Sequence, residues 1–487
     1  MSQLPSLVRR RVLSSAAALA TLGVLPGYAP AAAQANSDIT GRLARYMAAA
    51  RDRPLPDAVA LACKHRILDT FAAMVSGAHM RPGIMATDYV RRLGGTAQAT
   101  VVATNFRTNA AEAALANAMC AHADETDDFE PDTKAHPGCS AVPAALAMAE
   151  KNGASGEAFL RAVALGYDLG CRLLMALGPD LVRGTHRSAE GMSSTFCALG
   201  AAAPLAAGLD EQRLRFAISY AAQQVSGLWS WVNDEDHIEK AFDFAGMGAR
   251  NGVMAVTLVE AGMTGTSDVL DGVHNLFIAL SNAPKPEAML EGLGSHFYVT
   301  ETAIKTFSVG YPCQSALDAV LTLRKQHELS PGNVRSIVVK LPTDAVGIVG
   351  NSAMPDVNCP HLVAVALLKG AVSFVDSHDV SLMKDPAVLA IRQNIQLTGD
   401  ATLMDPAAPR GAIVEVTLTD GRLVQHHTQF PPGTKENPLS TEQVGAKARD
   451  LMAPVLGRAK ADALIDQLNK LEQLEDVRRL RPLWAGQ

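Results

Sequence analysis

The sequence contains no C-x-x-C pair. Its seven cysteines, Cys63, Cys120, Cys139, Cys171, Cys197, Cys313 and Cys359, are odd in number and mostly lie in apolar surroundings. Reduced core thiols are therefore expected, not a disulfide framework. The missing pairs also argue against an iron–sulfur cluster. G-x-G-x-x-G and G-x-S-x-G motifs with the right flanks are lacking, which weakens dinucleotide and serine-hydrolase readings. There is no low-complexity tract, and 48% of the residues are hydrophobic, so the chain is globular. Nor is there an excess of basic charge. The net charge is −6 and the basic residues are scattered, which leaves no footprint for nucleic acid or an anionic membrane.

A long apolar run is missing too. Arg9, Arg10 and Arg11 precede Val12, Leu13 and an apolar stretch to Leu25. At roughly 13 residues that stretch is short of the about 20 needed to span a bilayer. Ala33, Gln34 and Ala35 form an A-x-A cleavage site, so residues 1–35 read as a twin-arginine export signal. The expectation is a periplasmic protein that keeps no stable membrane association after cleavage.

With 487 residues the chain exceeds one ordinary core. From about residue 39 to 283 it reads as alanine-rich helices broken at Gly, Pro and Asn. Near Glu301 the texture changes. "VRSIVVKLP" (334–342) alternates, and "AIVEVTLTDGRLVQHHTQF" (412–430) reads as a hairpin turning at Asp420–Gly421, with helices expected at about 360–378 and 386–394. The expected fold is mainly α, a large all-helical domain over residues 36–300 with a smaller α+β lid domain over 301–432. Helices over 433–487 would pack back on the first domain.

One bend stands out. "HADETDDFEPDTKAHP" (122–137) places six carboxylates and two histidines within sixteen residues, between apolar flanks. The acids crowd the C-terminal end of a helix expected from Asn109, where the dipole disfavours them. Such a local conflict is what functional sites tend to carry. His136 precedes Pro137 and a new helix with Ser140 as its N-cap, so it sits beside a helix N-terminus able to favour a substrate carboxylate. His186, in "RGTHRSAEGMSS" (183–194), likewise precedes a small-residue helix, "FCALGAAAPLAAG" (196–208). The two loops read as two walls of one pocket. A solvated acidic loop is the plainer alternative, with Asp124 and Glu130 facing water. Calcium and zinc spacings are absent.

The stretch "NAMCAHADETDDFEPDTKAHPGCSAVPAALAMAE" (117–150) resembles the MmgE/PrpD family, and so do "GYDLGCRL" (166–173), "KAFDFAGMGARNGVMAVTLVEAGMTG" (240–265), "VGYPCQSALDA" (309–319) and "GTKENPLSTEQVGAKARDLM" (433–452). The resemblance implies a helical domain with a smaller lid, a homodimer, no metal and no organic cofactor. It also implies a small di- or tricarboxylate substrate. Where the family carries H-x-x-D-F-D-D-T, this chain has His122 through Phe129, with Glu125 for the first Asp and Phe129 for the Thr. The histidine expected after the Tyr311-Pro-Cys stretch is missing.

Dehydrating a β-hydroxy acid without metal needs a base, an acid and a cation for the developing dianion. His136 and His186 are the candidates for base and acid, and Asp127 and Asp128 would orient and polarise a histidine. Glu125 belongs to the same catalytic bend. Lys240 would hold a substrate carboxylate, with Arg187, Lys305 and Tyr311 as further binding candidates. The expected reaction is cofactor-free dehydration of a 2-methylcitrate-like hydroxy acid, with cis-aconitate-type decarboxylation or iminodisuccinate-type epimerisation in the same pocket as alternatives, and an exported protein that binds carboxylates without chemistry as an alternative of another class.

Overall fold

Alanine and small residues dominate the first half of the chain, and they build long helices that pack closely. In the computed structural model, which describes residues 38–405 and 408–485, the central ones are Asp57–Gly77, Ala110–Ala121, Gly138–Asn152, Gly156–Leu177, Ala189–Ala202 and Met247–Glu260. The expected export signal over residues 1–35 lies outside the described residues. The starts are set by side-chain caps. Asn109, Ser155 and Ser188 each accept a hydrogen bond from the backbone N–H three residues on. A Cβ at Gly248 would overlap Ser194 Oγ, so helix Met247–Glu260 lies directly on helix Ala189–Ala202.

These helices enclose one apolar core that runs from Leu43 and Phe71 through Phe159, Phe196 and Val256 to Trp484. The C-terminal segment contributes to it. The Trp484 ring centroid lies 5.4 Å from that of Phe71, and in helix Thr441–Leu456 the Lys447 ammonium pairs with Asp69 at 2.6 Å.

A second core gathers around a four-stranded mixed sheet of order Ile395–Gly399, Val334–Leu341, Ala412–Leu418, Leu423–Thr428. The first pair is parallel and the others antiparallel, with Val339 opposite Val414 and Val414 opposite His426. Gly421, at φ +90°, turns the hairpin. The chain is thus mainly α with a small mixed sheet.

Two local features differ from expectation. A short antiparallel pair, Ala99–Thr100 with Arg107–Thr108, has too few residues to show periodicity. The helix expected over 360–378 is broken at Gly370, φ +79°, into Cys359–Lys369 and Phe374–His378, and this break sets the position of His378. All seven cysteines are buried and free. Among the described residues, no helix is long and apolar enough to cross a membrane.

Candidate active site

Helix Ala110–Ala121 ends at His122, and the acidic bend turns inward instead of out. Asp124, Glu125, Asp127, Asp128 and Glu130 are all buried, so the solvated-loop alternative fails for them, Asp124 and Glu130 included. Glu130 closes its own turn by accepting from Thr133 N at 2.7 Å.

Asp127 is the hub. Its Oδ2 lies 2.9 Å from His122 Nδ1 and its Oδ1 lies 3.2 Å from His136 Nδ1. A carboxylate only accepts, so each imidazole presents its Nδ1–H to Asp127, and a neutral ring carries its lone pair on Nε2. His122 Nε2 is buried without a hydrogen-bond partner. Burial holds the His122 ring below its ordinary pKa, although Asp127 opposes this. Burial alone would raise Asp127, but His122, His136 and Lys305 hold its carboxyl well below the usual range.

Two lysines face the bend. Lys305 is carried in by an antiparallel bridge between Phe129 and Ala303, and Ile304 N donates to Gly433 O at 3.0 Å. A Cβ at Gly433, φ +102°, would overlap that Ile304 carbonyl oxygen. The Lys305 ammonium is fully buried, 3.4 Å from Glu125 Oε2 and 3.5 Å from Asp127 Oδ1. Burial would lower it, yet Asp127 and Glu125 raise it. Lys240 stands on the short helix Ile238–Ala241, where Asp234 accepts from its backbone N–H, and its ammonium pairs with Glu125 Oε1. A π-turn, Phe242–Gly246, follows at once. It stacks Phe244 on His122, with ring centroids 4.6 Å apart. Such turns recur at functional sites.

The sequence-based candidates do not all converge. Glu125, Asp127, His136, Lys240 and Lys305 form one cluster. Tyr311 is one ring removed from it. Its ring centroid lies 4.3 Å from that of Phe129, which lies 5.4 Å from His136. Tyr311 also lines a cavity of about 210 Å³ with Arg410 and Lys435.

Asp128 does not orient a histidine. Its Oδ1 accepts from Gly138 N at 3.0 Å, at the start of helix Gly138–Asn152. It therefore fills the helix N-terminus expected to hold a substrate carboxylate. Burial, then the Asp127 charge, push its carboxyl up to about 7. Ser140 is not the N-cap, since the helix begins two residues before it.

His186 lies on an exposed turn at φ +60°. Among the described contacts, only its backbone leads toward the cluster. Its carbonyl accepts from Trp229 N, the Trp229 ring meets Trp231, and Trp231 meets Phe244. Arg187 donates to Thr185 Oγ1 at 2.8 Å. The two loops do not form two walls of one pocket here.

Three histidines were missed as site residues. His122 was legible as part of the motif, but its pairing with Asp127 depends on the fold of the bend. His237 precedes Lys240 at φ +60°, with its ring 5.2 Å from His122 and its Nε2 buried and unpartnered. Burial, then the neighbouring Lys240 charge, hold it well below its ordinary pKa. His378 reaches Asp124 at 3.0 Å and Asp356 at 4.0 Å. His122, Asp127 and His136 could also present metal ligands, because their ligand atoms lie within 4.8 Å of one another.

The site is thus a buried histidine–carboxylate–lysine cluster on a mainly α scaffold. The chain belongs to the MmgE/PrpD family. Residues 41–289 match the MmgE/PrpD N-terminal domain and residues 307–473 the MmgE/PrpD C-terminal domain. It is similar to a cis-aconitate decarboxylase-like protein of Aspergillus oryzae, 24% identical over 485 residues, covering 93% of this chain and 98% of that one. It is also similar to the cis-aconitate decarboxylases of Mus musculus and Homo sapiens. Each is 24% identical, covering 89% of this chain and 90% and 91% of theirs.

Proposed function

We propose that this protein is a lyase acting on a small polycarboxylate, by acid–base catalysis from its own side chains. The carrying observation is that Asp127 holds two imidazoles, His122 and His136, beside the buried ammonium of Lys305. Loss of carbon dioxide is the first reading, because the relatives above carry decarboxylase names. The C–C bond to the departing carboxylate breaks and its electron pair stays on carbon. Charge spreads toward a remaining carboxylate, which the buried Lys305 ammonium beside Asp127 stabilises. An imidazolium at His136 then gives its proton to that carbon.

Loss of water is the second reading, since the same parts serve it. Nε2 of neutral His136 takes the proton α to a carboxylate, the lysines stabilise the dianion, and a second protonated group meets the departing hydroxyl. His186 would serve as that group only if its turn moves inward.

The test is a proton NMR time course in D₂O without added metal, with the tricarboxylates citrate, 2-methylcitrate and cis-aconitate and the dicarboxylates citramalate and mesaconate. Released carbon dioxide with deuterium on the product carbon supports the first reading, and an olefinic product from a hydroxy acid supports the second. No change in any acid, with saturable line broadening, would replace both with a carboxylate-binding protein.

A further inference from the structure

The Glu125 carboxylate is shared between the two ammonium groups whose charge the proposed function uses to stabilise the reacting anion. Oε1 pairs with Lys240 and Oε2 stands 3.4 Å from Lys305. One oxygen per lysine is the arrangement a bound carboxylate would take between them. Glu125 is 5% exposed, and Lys305 1%. Among the described residues, the charges around this pair are mostly matched. Lys240 and Lys305 are balanced by Glu125 and Asp127, and burial disfavours the charged forms of His122 and His237. His378 is paired with Asp124.

We infer that Glu125 is an internal carboxylate standing where a substrate carboxylate would otherwise sit between Lys240 and Lys305, so that it selects an acid with one carboxylate fewer than the site would take without it. This rests on the polycarboxylate reading and narrows it to a dicarboxylate. A third carboxylate on the ligand would have to displace Glu125 from both lysines and leave it buried and unpaired, which low-polarity surroundings penalise heavily. Rejection by an unpaired or like charge is a strong way to discriminate between close analogues. The side-chain length matters as much as the charge. An aspartate here is one methylene shorter and cannot span both ammonium groups from the same backbone position, so it frees one of them without changing the charge count.

The experiment is equilibrium binding of two unreactive acids, succinate and tricarballylate, to the full mature chain by calorimetry near neutral pH. The wild type is expected to bind succinate at least as tightly as tricarballylate. Glu125→Asp and Glu125→Gln are each expected to shift the ratio toward tricarballylate by about tenfold or more. Glu130→Gln, which changes another buried carboxyl of the bend that accepts from Thr133 and pairs with neither lysine, is expected to leave the ratio within about twofold. The inference is overturned if the wild type prefers tricarballylate, or if neither Glu125 variant moves the ratio. It is equally overturned if Glu130→Gln moves the ratio as far as Glu125→Gln, since the carboxyls of the bend in general would then explain the effect. If neither acid binds the wild type or any variant, the polycarboxylate reading falls with it. Binding with an unmoved ratio removes the inference alone.

Discussion

His378 Nε2 lies 3.0 Å from Asp124 Oδ2, which ties the short helix after Gly370 to the acidic bend of the helical core. His378 Nδ1 lies 2.8 Å from the Phe374 carbonyl oxygen, which only accepts, so that nitrogen keeps its proton. Nε2 faces Asp124 and, at 4.0 Å, Asp356, and both favour an imidazolium. Burial opposes the charge, but the two carboxylates win and raise the ring to about 9.

A raised imidazole pKa stabilises the fold fully below the unfolded value of 6.5, and that stability is lost as the pH rises through about 9. His378→Gln is therefore expected to lose about 3 kcal/mol at pH 6 in urea denaturation, and progressively less toward pH 10. A loss that is the same at both pH values would show that the ring acts by packing alone.

His136 and His186 separate by position. His136→Ala is expected to lower kcat/KM by about 10² to 10⁴, the range for a general acid–base group. His186→Ala, on its exposed turn, is expected to lose less than about tenfold. Stopped-assay kinetics on whichever acid turns over decide it. A loss in His186→Ala as large as in His136→Ala would mean that the 183–194 turn closes onto the cluster during turnover.

The Lys305 side chain is fully buried against two carboxylates. Removing it leaves Glu125 and Asp127 buried with less compensation, and breaking such a pair costs about 3–5 kcal/mol. Lys305→Met is expected to lower stability by that amount, and Lys305→Met with Asp127→Asn is expected to recover part of it. A double variant less stable than the single one would show that Asp127 is held by its histidines independently of Lys305.

The acidic bend was legible because its charges contradict the helix dipole and the apolar flanks. The alanine-rich helices broken at Gly, Pro and Asn were legible too, and Gly156–Leu177 is one of them. The convergence of Lys240 and Lys305 on one carboxylate was not. The lysines lie 115 and 180 positions from Glu125, and no spacing encodes that. His237 and His378 escaped for a related reason. Each depends on a local break, a residue at positive φ in one and the Gly370 stop in the other. The sequence pattern also treated Asp127 and Asp128 as a pair, although adjacent side chains leave the backbone in different directions. One meets the histidines and the other caps a helix.

That division gives Asp128 its own test. Burial raises its carboxyl from 3.8 to about 7, so the stability it contributes is present below pH 3.8 and is lost as the pH rises to about 7. Asp128→Asn keeps an acceptor for Gly138 N and removes the charge. Its gain over wild type is expected to be small near pH 4 and to reach about 4 kcal/mol above pH 7. A variant that is less stable at every pH would show that the ionised carboxylate stabilises the helix N-terminus.

The ligand spacing of His122, Asp127 and His136 makes the metal question concrete. Both Asp127 oxygens already accept from imidazole nitrogens, and the Lys305 ammonium stands 3.5 Å from Oδ1. A divalent cation would have to strip the proton from each Nδ1 and sit against a buried positive charge. Prolonged chelation with EDTA is therefore expected to leave kcat/KM unchanged, and added zinc to inhibit by taking the same three ligands. Lys305→Met removes the repulsion and is expected to tighten zinc inhibition by about tenfold or more. Activity lost to EDTA and restored by one metal ion would reverse the assignment, with Asp127 a ligand instead of the partner of two imidazoles.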